Sequence, residues 1–220
     1  VIAIASAFLA LASFALSWRV VERQTKLQSE ELKIQMEEDV IAWAQEAIDV
    51  LSEGLALADG RGRVFNEDET RRAAHAISHR LSSLADRGRL FFPNELIGNF
   101  GAANEAAFQG VRPPILDALV FASCAVQSIE PQRAEPDEAA RAIVLAARRL
   151  TVSEAQNAID PRRRSKIRAA LIEGRKDDPK PSGQVVAELH AALARRLPDA
   201  SVVAAWTMAR EVLRKAESRD

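Results

Sequence analysis

The sequence has few of the residues on which β-rich, disulfide-bonded and nucleic-acid-binding proteins depend. Its 220 residues include no Tyr, nine Gly, nine Pro, three His and one Cys. Low aromatic and glycine content argues against a β-rich fold, and a single Cys excludes an intrachain disulfide. The formal net charge of −1 gives no general attraction to nucleic acid. We therefore expect an all-α protein without a nucleic-acid partner.

No catalytic constellation, phosphate loop or metal-ligand spacing stands out along the chain. His75 and His79 lie four residues apart, a spacing that can place two zinc ligands on one helix face. Two ligands do not make a zinc site, and the third histidine, His190, is far away in sequence. Cys124 lies among apolar residues, the usual setting of an inert core thiol. We therefore predict no catalytic residue, no metal ion and no cofactor.

The longest apolar run lies at the start of the sequence. Residues 1–17 carry no charge, and Trp18 and Arg19 follow them. About 17–25 apolar residues in a helix span a bilayer core, so residues 1–18 are predicted to anchor the chain in a lipid bilayer. A cleavable signal peptide and a buried soluble helix are the alternatives. A signal peptide would carry basic residues before its apolar core, and the sequence shows none before Val1.

Basic residues follow the apolar run at Arg19, Arg23 and Lys26. Because Lys and Arg next to a membrane span stay in the cytoplasm, we expect a single-pass protein with its N-terminus outside. The rest of the chain is then cytoplasmic. In a bacterium this location is the inner membrane.

Apolar periodicity predicts one helix after another behind the anchor. In segment 19–39 polar residues occupy nearly every face of the predicted helix, which is typical of a solvated helical stalk. Segment 40–174 has the apolar stripes of an antiparallel helical bundle, segment 175–183 is a linker rich in Pro and charge, and segment 184–220 is a C-terminal helical pair.

Local signals mark the helix ends within the bundle. Gly60 ends the first helix, and the Asn66 cap begins a second one that stops near Gly88. Pro113 and Pro114 open a nearly all-apolar helix. Asp137 and Glu138 begin the next helix, which ends before Asp160. The residues that we expect to be buried are Leu116, Leu119, Val120 and Ile143.

Two segments are candidate contact surfaces. A basic run without an intervening acid could contact an anionic surface; it comprises Arg162, Arg163, Arg164, Lys166 and Arg168. Its alternative is a solvated face paired with carboxylates of the same chain. The loop phenylalanines Phe91, Phe92 and Phe100 could contact a partner, and their alternative is to fill the bundle core.

The stalk carries half of a coiled-coil seam. Apolar residues recur every seven positions at Val20, Leu27, Ile34, Ile41 and Ile48. The second seam position is polar, whereas a regular coiled coil needs both positions apolar. This half-seam, together with small residues in the span, makes a homo-oligomer through the span and the stalk one candidate, and a stalk that does not self-associate is the alternative.

Four segments resemble uncharacterised bacterial single-span membrane proteins with a cytoplasmic helical domain. These segments are Leu16–Arg19, Arg80–Asn94, Arg112–Leu119 and Val152–Arg164. The resemblance implies a membrane anchor and brings no known activity with it.

These patterns favour a membrane-tethered cytoplasmic helical scaffold or protein-interaction module with an unidentified protein partner. An enzyme or ligand sensor with a pocket that the sequence does not reveal is one alternative. A sensor of anionic lipid surfaces that uses the basic run 162–168 is another. A deep polar pocket with convergent carboxylates would favour an enzyme.

Overall fold

The computed structural model describes residues 2–159 and 182–217, and these residues form six α-helices. Apart from two isolated bridges, Arg61 with Phe65 and Glu95 with Val111, the described residues contain no β-strand. The prediction of an all-α fold is therefore confirmed. The helices are α1 (Ile2–Gly60), α2 (Glu67–Gly88), α3 (Pro114–Gln127), α4 (Glu138–Ile159), α5 (Ser182–Arg196) and α6 (Ser201–Glu217).

The chain divides into two compact units, Val1–Ile41 and Ala42–Asp220, and residues of α1 belong to both. Within the parts of the chain that the structure describes, no helix is both long enough and apolar enough to cross a membrane. The transmembrane anchor at residues 1–18 therefore stays a prediction.

The basic run 162–168 lies outside the described residues. Most of the predicted linker 175–183 does so as well. The linker prediction is wrong at its end, because Ser182 and Gly183 already belong to α5. The Ser182 hydroxyl donates a hydrogen bond to the Glu154 carboxylate, which joins the start of α5 to α4.

Local capping interactions fix the helix starts that the sequence predicts. The Asn66 side chain accepts a hydrogen bond from the Glu69 N–H at 2.9 Å, and the Asn66 N–H donates to the Glu69 carboxylate at 2.9 Å. This reciprocal capping box satisfies two backbone donors at the start of α2. Pro114 lies in the first turn of α3, where its missing N–H costs nothing.

Helix α3 is the centre of the bundle. Ten of its fourteen residues are buried, among them Leu116 and Leu119, so burial of these two residues is confirmed. Ile143 of α4 is buried too, whereas Val120 is only half buried and faces a cavity. Helix α3 packs against α2, α4 and α5.

Ion pairs and close contacts define the helix directions. Arg87 contacts Glu46 at 2.7 Å and Arg80 contacts Glu53 at 2.5 Å, so α2 runs antiparallel to the end of α1. Gly88 at the end of α2 lies beside the Leu116 side chain near the start of α3, and Ser78 in the middle of α2 contacts Ser123 near the end of α3. Helix α3 therefore runs antiparallel to α2.

The C-terminal helices are part of the bundle. Apolar side chains of α5 join the hydrophobic core at Val186, Leu189 and Leu193. Helix α5 runs parallel to α3, because its His190 lies beside Phe121 and its Arg196 lies beside Ser128. Helix α5 runs antiparallel to α4, because Ser182 at its start contacts Glu154 late in α4 and Arg196 at its end contacts Asp137 just before α4. The antiparallel order of consecutive helices therefore extends to α5.

Truncation of Leu119 tests the central position of α3. We expect Leu119→Ala to lower the free energy of unfolding by about 2–5 kcal/mol, since it leaves a cavity in a packed core. The matched control is Leu90→Ala, because Leu90 is 79% exposed while Leu119 is 0% exposed. Chemical denaturation of the two variants measures the difference, and equal stabilities would contradict this account of the core.

Candidate functional site

The loop between α2 and α3 folds back on itself beside the bundle. Glu95 and Val111 exchange two backbone hydrogen bonds of 2.8 Å. Gly110 has φ +81°, and a Cβ there would lie 2.3 Å from the Glu95 carbonyl oxygen. Only glycine combines this backbone conformation with so close an approach. The closed loop holds Arg89 and Arg112, at its two ends, beside one cavity.

This cavity, which we call the arginine cavity, has a volume of about 470 Å³. The loop, α3 and α6 form its wall, and its charged lining residues are Arg89, Arg112 and Asp117. A neighbouring cavity of about 360 Å³ shares Arg112, Asp117 and Trp206 with it and adds the charged residues Glu95 and Arg210. Concave surfaces with apolar walls and few polar groups are typical of small-molecule sites.

Arg89 is a buried cation with an unfilled donor. Its side chain is 10% exposed, and its Nη1 donates to Asn94 Oδ1 at 3.0 Å and to the Ala107 carbonyl at 3.3 Å. The buried Nε has no hydrogen-bond partner among the described residues, and the nearest Asp86 oxygen is 3.6 Å away. Burial and the adjacent charge of Arg112 lower the pKa of Arg89.

Arg112 and Asp117 form the ion pair of the cavity. Arg112 Nη1 lies 3.3 Å from Asp117 Oδ1, while the Arg112 Nε is buried without a hydrogen-bond partner in the described part of the chain. Burial raises the pKa of Asp117 to about 6, although Arg112, a hydrogen bond from Trp206 and Arg210 favour the charged carboxylate. The single carboxylate of Asp117 therefore faces the two arginines Arg89 and Arg112 of the cavity.

Aromatic contacts fix the opposite wall of the cavity. The Trp206 indole stacks on the His190 ring at 4.2 Å between centroids and meets the Phe121 ring at 6.2 Å. His190 also contacts the Val203 carbonyl through Nε2 at 3.1 Å. Helix α5 therefore orients Trp206 of α6 towards the arginines.

The predicted partner-contact phenylalanines lie in different surroundings. The rings of Phe91 and Phe92 lie 6.2 and 5.4 Å from the Trp43 ring and pack against the core. This packing corresponds to the alternative of core filling, and a partner contact through these two residues stays a prediction. Phe100 is half buried and lines the arginine cavity. The Arg89 guanidinium lies over the Phe108 ring, with 4.4 Å between Arg89 Cζ and the ring centroid.

The histidine pair lies on the surface of α2, and the cysteine lies in α3. His75 and His79 are exposed, and their ring centroids are 4.4 Å apart. Among the described residues, no group of three or more His, Cys, Asp or Glu side chains could hold a metal ion. Cys124 is half buried, and burial raises the pKa of its thiol, which disfavours the reactive thiolate.

Ser78, Ser123 and Cys124 share a smaller cavity of about 290 Å³ with His79. The Ser123 hydroxyl donates to the Ser78 carbonyl at 2.9 Å and contacts the Ser78 hydroxyl at 3.1 Å. Since Ser123 uses its proton on the carbonyl, Ser78 is the donor between the two hydroxyls. These bonds join α2 to α3 and do not activate either serine as a nucleophile.

Sequence reasoning missed the arginine cavity. Its charged residues are Arg89 after α2, Arg112 before α3 and Asp117 in the first turn of α3. The spacing of Arg112 and Asp117 at a helix start was the one local signal. Trp206 comes from a helix that sequence spacing could not place beside them.

Comparison with known proteins finds no matching family model, no matching curated protein and no matching solved structure.

The raised pKa of Asp117 predicts a specific pH dependence of stability. The folded state prefers the protonated carboxyl, so this stabilisation is complete below the unfolded value of 3.8 and is lost as the pH rises through about 6. The difference corresponds to at most about 3 kcal/mol. Asp117→Asn cannot titrate, so we expect its stability relative to that of the original chain to rise between pH 4 and pH 7.

Chemical denaturation of both proteins across this pH range measures the effect. Hydrogen bonds to Asp137 lower its pKa and add an opposite pH dependence, but both proteins share it and the comparison removes it. Parallel stability curves for the two proteins would contradict the assignment.

Proposed function

We propose that the protein is a membrane-tethered helical interaction module that self-associates through its stalk. In this proposal residues 1–18 anchor the chain in a bacterial inner membrane, residues 19–39 form the stalk, and the helical bundle lies in the cytoplasm. The supporting observation is the concentration of exposed apolar side chains in the stalk.

Exposed large apolar side chains of the described residues cluster between positions 18 and 41. Twelve such side chains are exposed, and seven of them lie in this segment. Apolar side chains this exposed and this close together are typical of a surface that another molecule covers. The seven residues are Trp18, Val21, Leu27, Leu32, Ile34, Met36 and Ile41.

The arrangement of these residues favours a second helix of the same kind as the partner. Leu27, Ile34 and Ile41 are 65%, 57% and 38% exposed. At about 100° per residue they lie within about 40° of one another. Residues at a seven-residue spacing on one face form one seam of a coiled coil.

The membrane anchor favours association of two stalks whose seam alone is weak. Polar residues occupy the second seam position, at Gln24, Glu31 and Glu38, so an isolated stalk would associate poorly. Two chains held in one bilayer are confined to a thin layer, and this raises their effective concentration without any new contact. The anchor and the half-seam together are therefore sufficient for a reversible dimer.

Cysteine crosslinking in membranes tests the proposal. In a Cys124→Ser background we expect Ile34→Cys to form a disulfide-linked dimer under mild oxidation, several-fold more than Gln28→Cys. Gln28 is exposed on the same stalk, but it lies about 120° around the helix from Ile34. Equal crosslinking at the two positions would contradict a defined seam.

The Gln28→Cys variant also tests the topology. In intact spheroplasts a membrane-impermeant maleimide should leave this thiol unlabelled, and it should react after lysis. Labelling before lysis would contradict the cytoplasmic location of the stalk. Recovery of the full chain without membranes would contradict the tether.

A further inference from the structure

We propose that the arginine cavity binds a small organic anion, in which a carboxylate or phosphate group is attached to a flat apolar body. This inference concerns the helical bundle alone and does not depend on self-association of the stalk. It assigns a ligand to the bundle, whereas the proposed function assigns a partner to the stalk.

The charge balance of the cavity favours an anion. Two arginines, Arg89 and Arg112, line it beside the single carboxylate of Asp117. The only acidic contact of Arg89 within 4 Å in the described residues is Asp86 at 3.6 Å, and the Asp86 side chain is 61% exposed. A buried cation is stable only when opposite charge and hydrogen bonds compensate its lost hydration. An anion in the cavity would supply both.

The unfilled donors point to an oxyanion. The Nε atoms of Arg89 and Arg112 are both buried and both lack a hydrogen-bond partner among the described residues. The Nε–H and a neighbouring Nη–H of a guanidinium form a fork that matches two oxygens of a carboxylate or phosphate. Two such arginines side by side would each contribute a charge-assisted hydrogen bond.

The start of α6 adds a further favourable field. Ser201, the first residue of this helix, lines the cavity. The backbone N–H groups in the first turn of a helix carry partial positive charge and attract anions. This field supports the two arginines.

The remaining wall suits an apolar body. Phe100, Val120 and Trp206 face the cavity, and contacts with His190 and Phe121 hold the indole of Trp206 in place. A cavity of about 470 Å³ is within the size range of small-molecule sites. Flat aromatic surfaces stack well on flat ligands.

Asp117 competes with the ligand in this arrangement. Its carboxylate occupies Arg112 Nη1 at 3.3 Å and adds negative charge to the place where an anion would bind. Removing this charge should therefore strengthen binding, whereas removing either arginine should weaken it. Opposite effects of substitutions that lie so close together are not expected from a purely structural role.

Titration calorimetry of the full chain in an uncharged detergent tests the proposal. The probes are 1-naphthoate and 1-naphthyl phosphate, with 1-naphthalenemethanol as the neutral analogue and inorganic phosphate as the anion without an apolar body. We expect both naphthyl anions to bind at least tenfold more tightly than either control, and the tighter of the two identifies the preferred acidic group.

Variants of single residues complete the experiment. Arg89→Gln and Arg112→Gln should each weaken binding of the naphthyl anions about tenfold or more, and Asp117→Asn should strengthen it several-fold. The matched control is Arg72→Gln, since Arg72 is an exposed arginine on α2 that does not line the cavity, and it should leave binding unchanged.

The following outcomes would overturn the proposal. One is that the naphthyl anions bind neither the original chain nor Asp117→Asn. Another is that 1-naphthalenemethanol binds as tightly as the naphthyl anions. The third is that Arg72→Gln weakens binding as much as Arg89→Gln or Arg112→Gln does. If Arg89→Gln fails to fold, the opposite effects of Arg112→Gln and Asp117→Asn still decide the question.

Discussion

The carboxylate of Asp137 connects the ends of α1, α4 and α5, and its partner Arg196 extends this junction to the end of α3. The arrangement of the bundle depends on this junction. Arg196 donates two hydrogen bonds of 2.6 and 2.7 Å to the Asp137 carboxylate, and Arg61 donates a third of 3.3 Å. The Ala140 N–H donates to it at the start of α4, and Arg196 also contacts Ser128 at the end of α3. Burial would raise the pKa of Asp137, but the Arg196 and Ala140 hydrogen bonds and the arginine charges outweigh it and lower the pKa.

This junction determines where the candidate ligand site forms. Because Arg196 lies in the last turn of α5, its bonds to α3 and α4 fix the register of α5 along the bundle. Earlier on the same helix, His190 stacks on Trp206 of α6. The Arg196 contacts at the end of α5 thus position His190 earlier on the helix, and His190 positions the Trp206 ring that lines the arginine cavity. We therefore expect a change at the junction to alter the candidate site through α5.

Local interactions explain which parts of the structure the sequence predicts correctly. The capping box at Asn66 and Glu69 and the proline at Pro114 involve neighbours in sequence, so the helix starts follow from the sequence alone. Tertiary contacts are different: Arg61 and Arg196 meet Asp137 from distant helices. Spacing does not reveal which acid such an arginine pairs with, because the sequence contains 31 acidic residues that could each be its partner. The arginine cavity was missed for the same reason.

Hydrogen–deuterium exchange tests most directly whether the Asp137 junction holds the C-terminal helices. Arg196→Met removes two of the bonds to Asp137, and Arg195→Met is the matched control because Arg195 is its exposed neighbour. We expect amides of α5 and α6 to exchange at least tenfold faster in Arg196→Met than in Arg195→Met. Breaking a buried ion pair costs about 3–5 kcal/mol, and the remaining Arg61 contact offsets part of this cost. Equal exchange of these helices in the two variants would contradict the account.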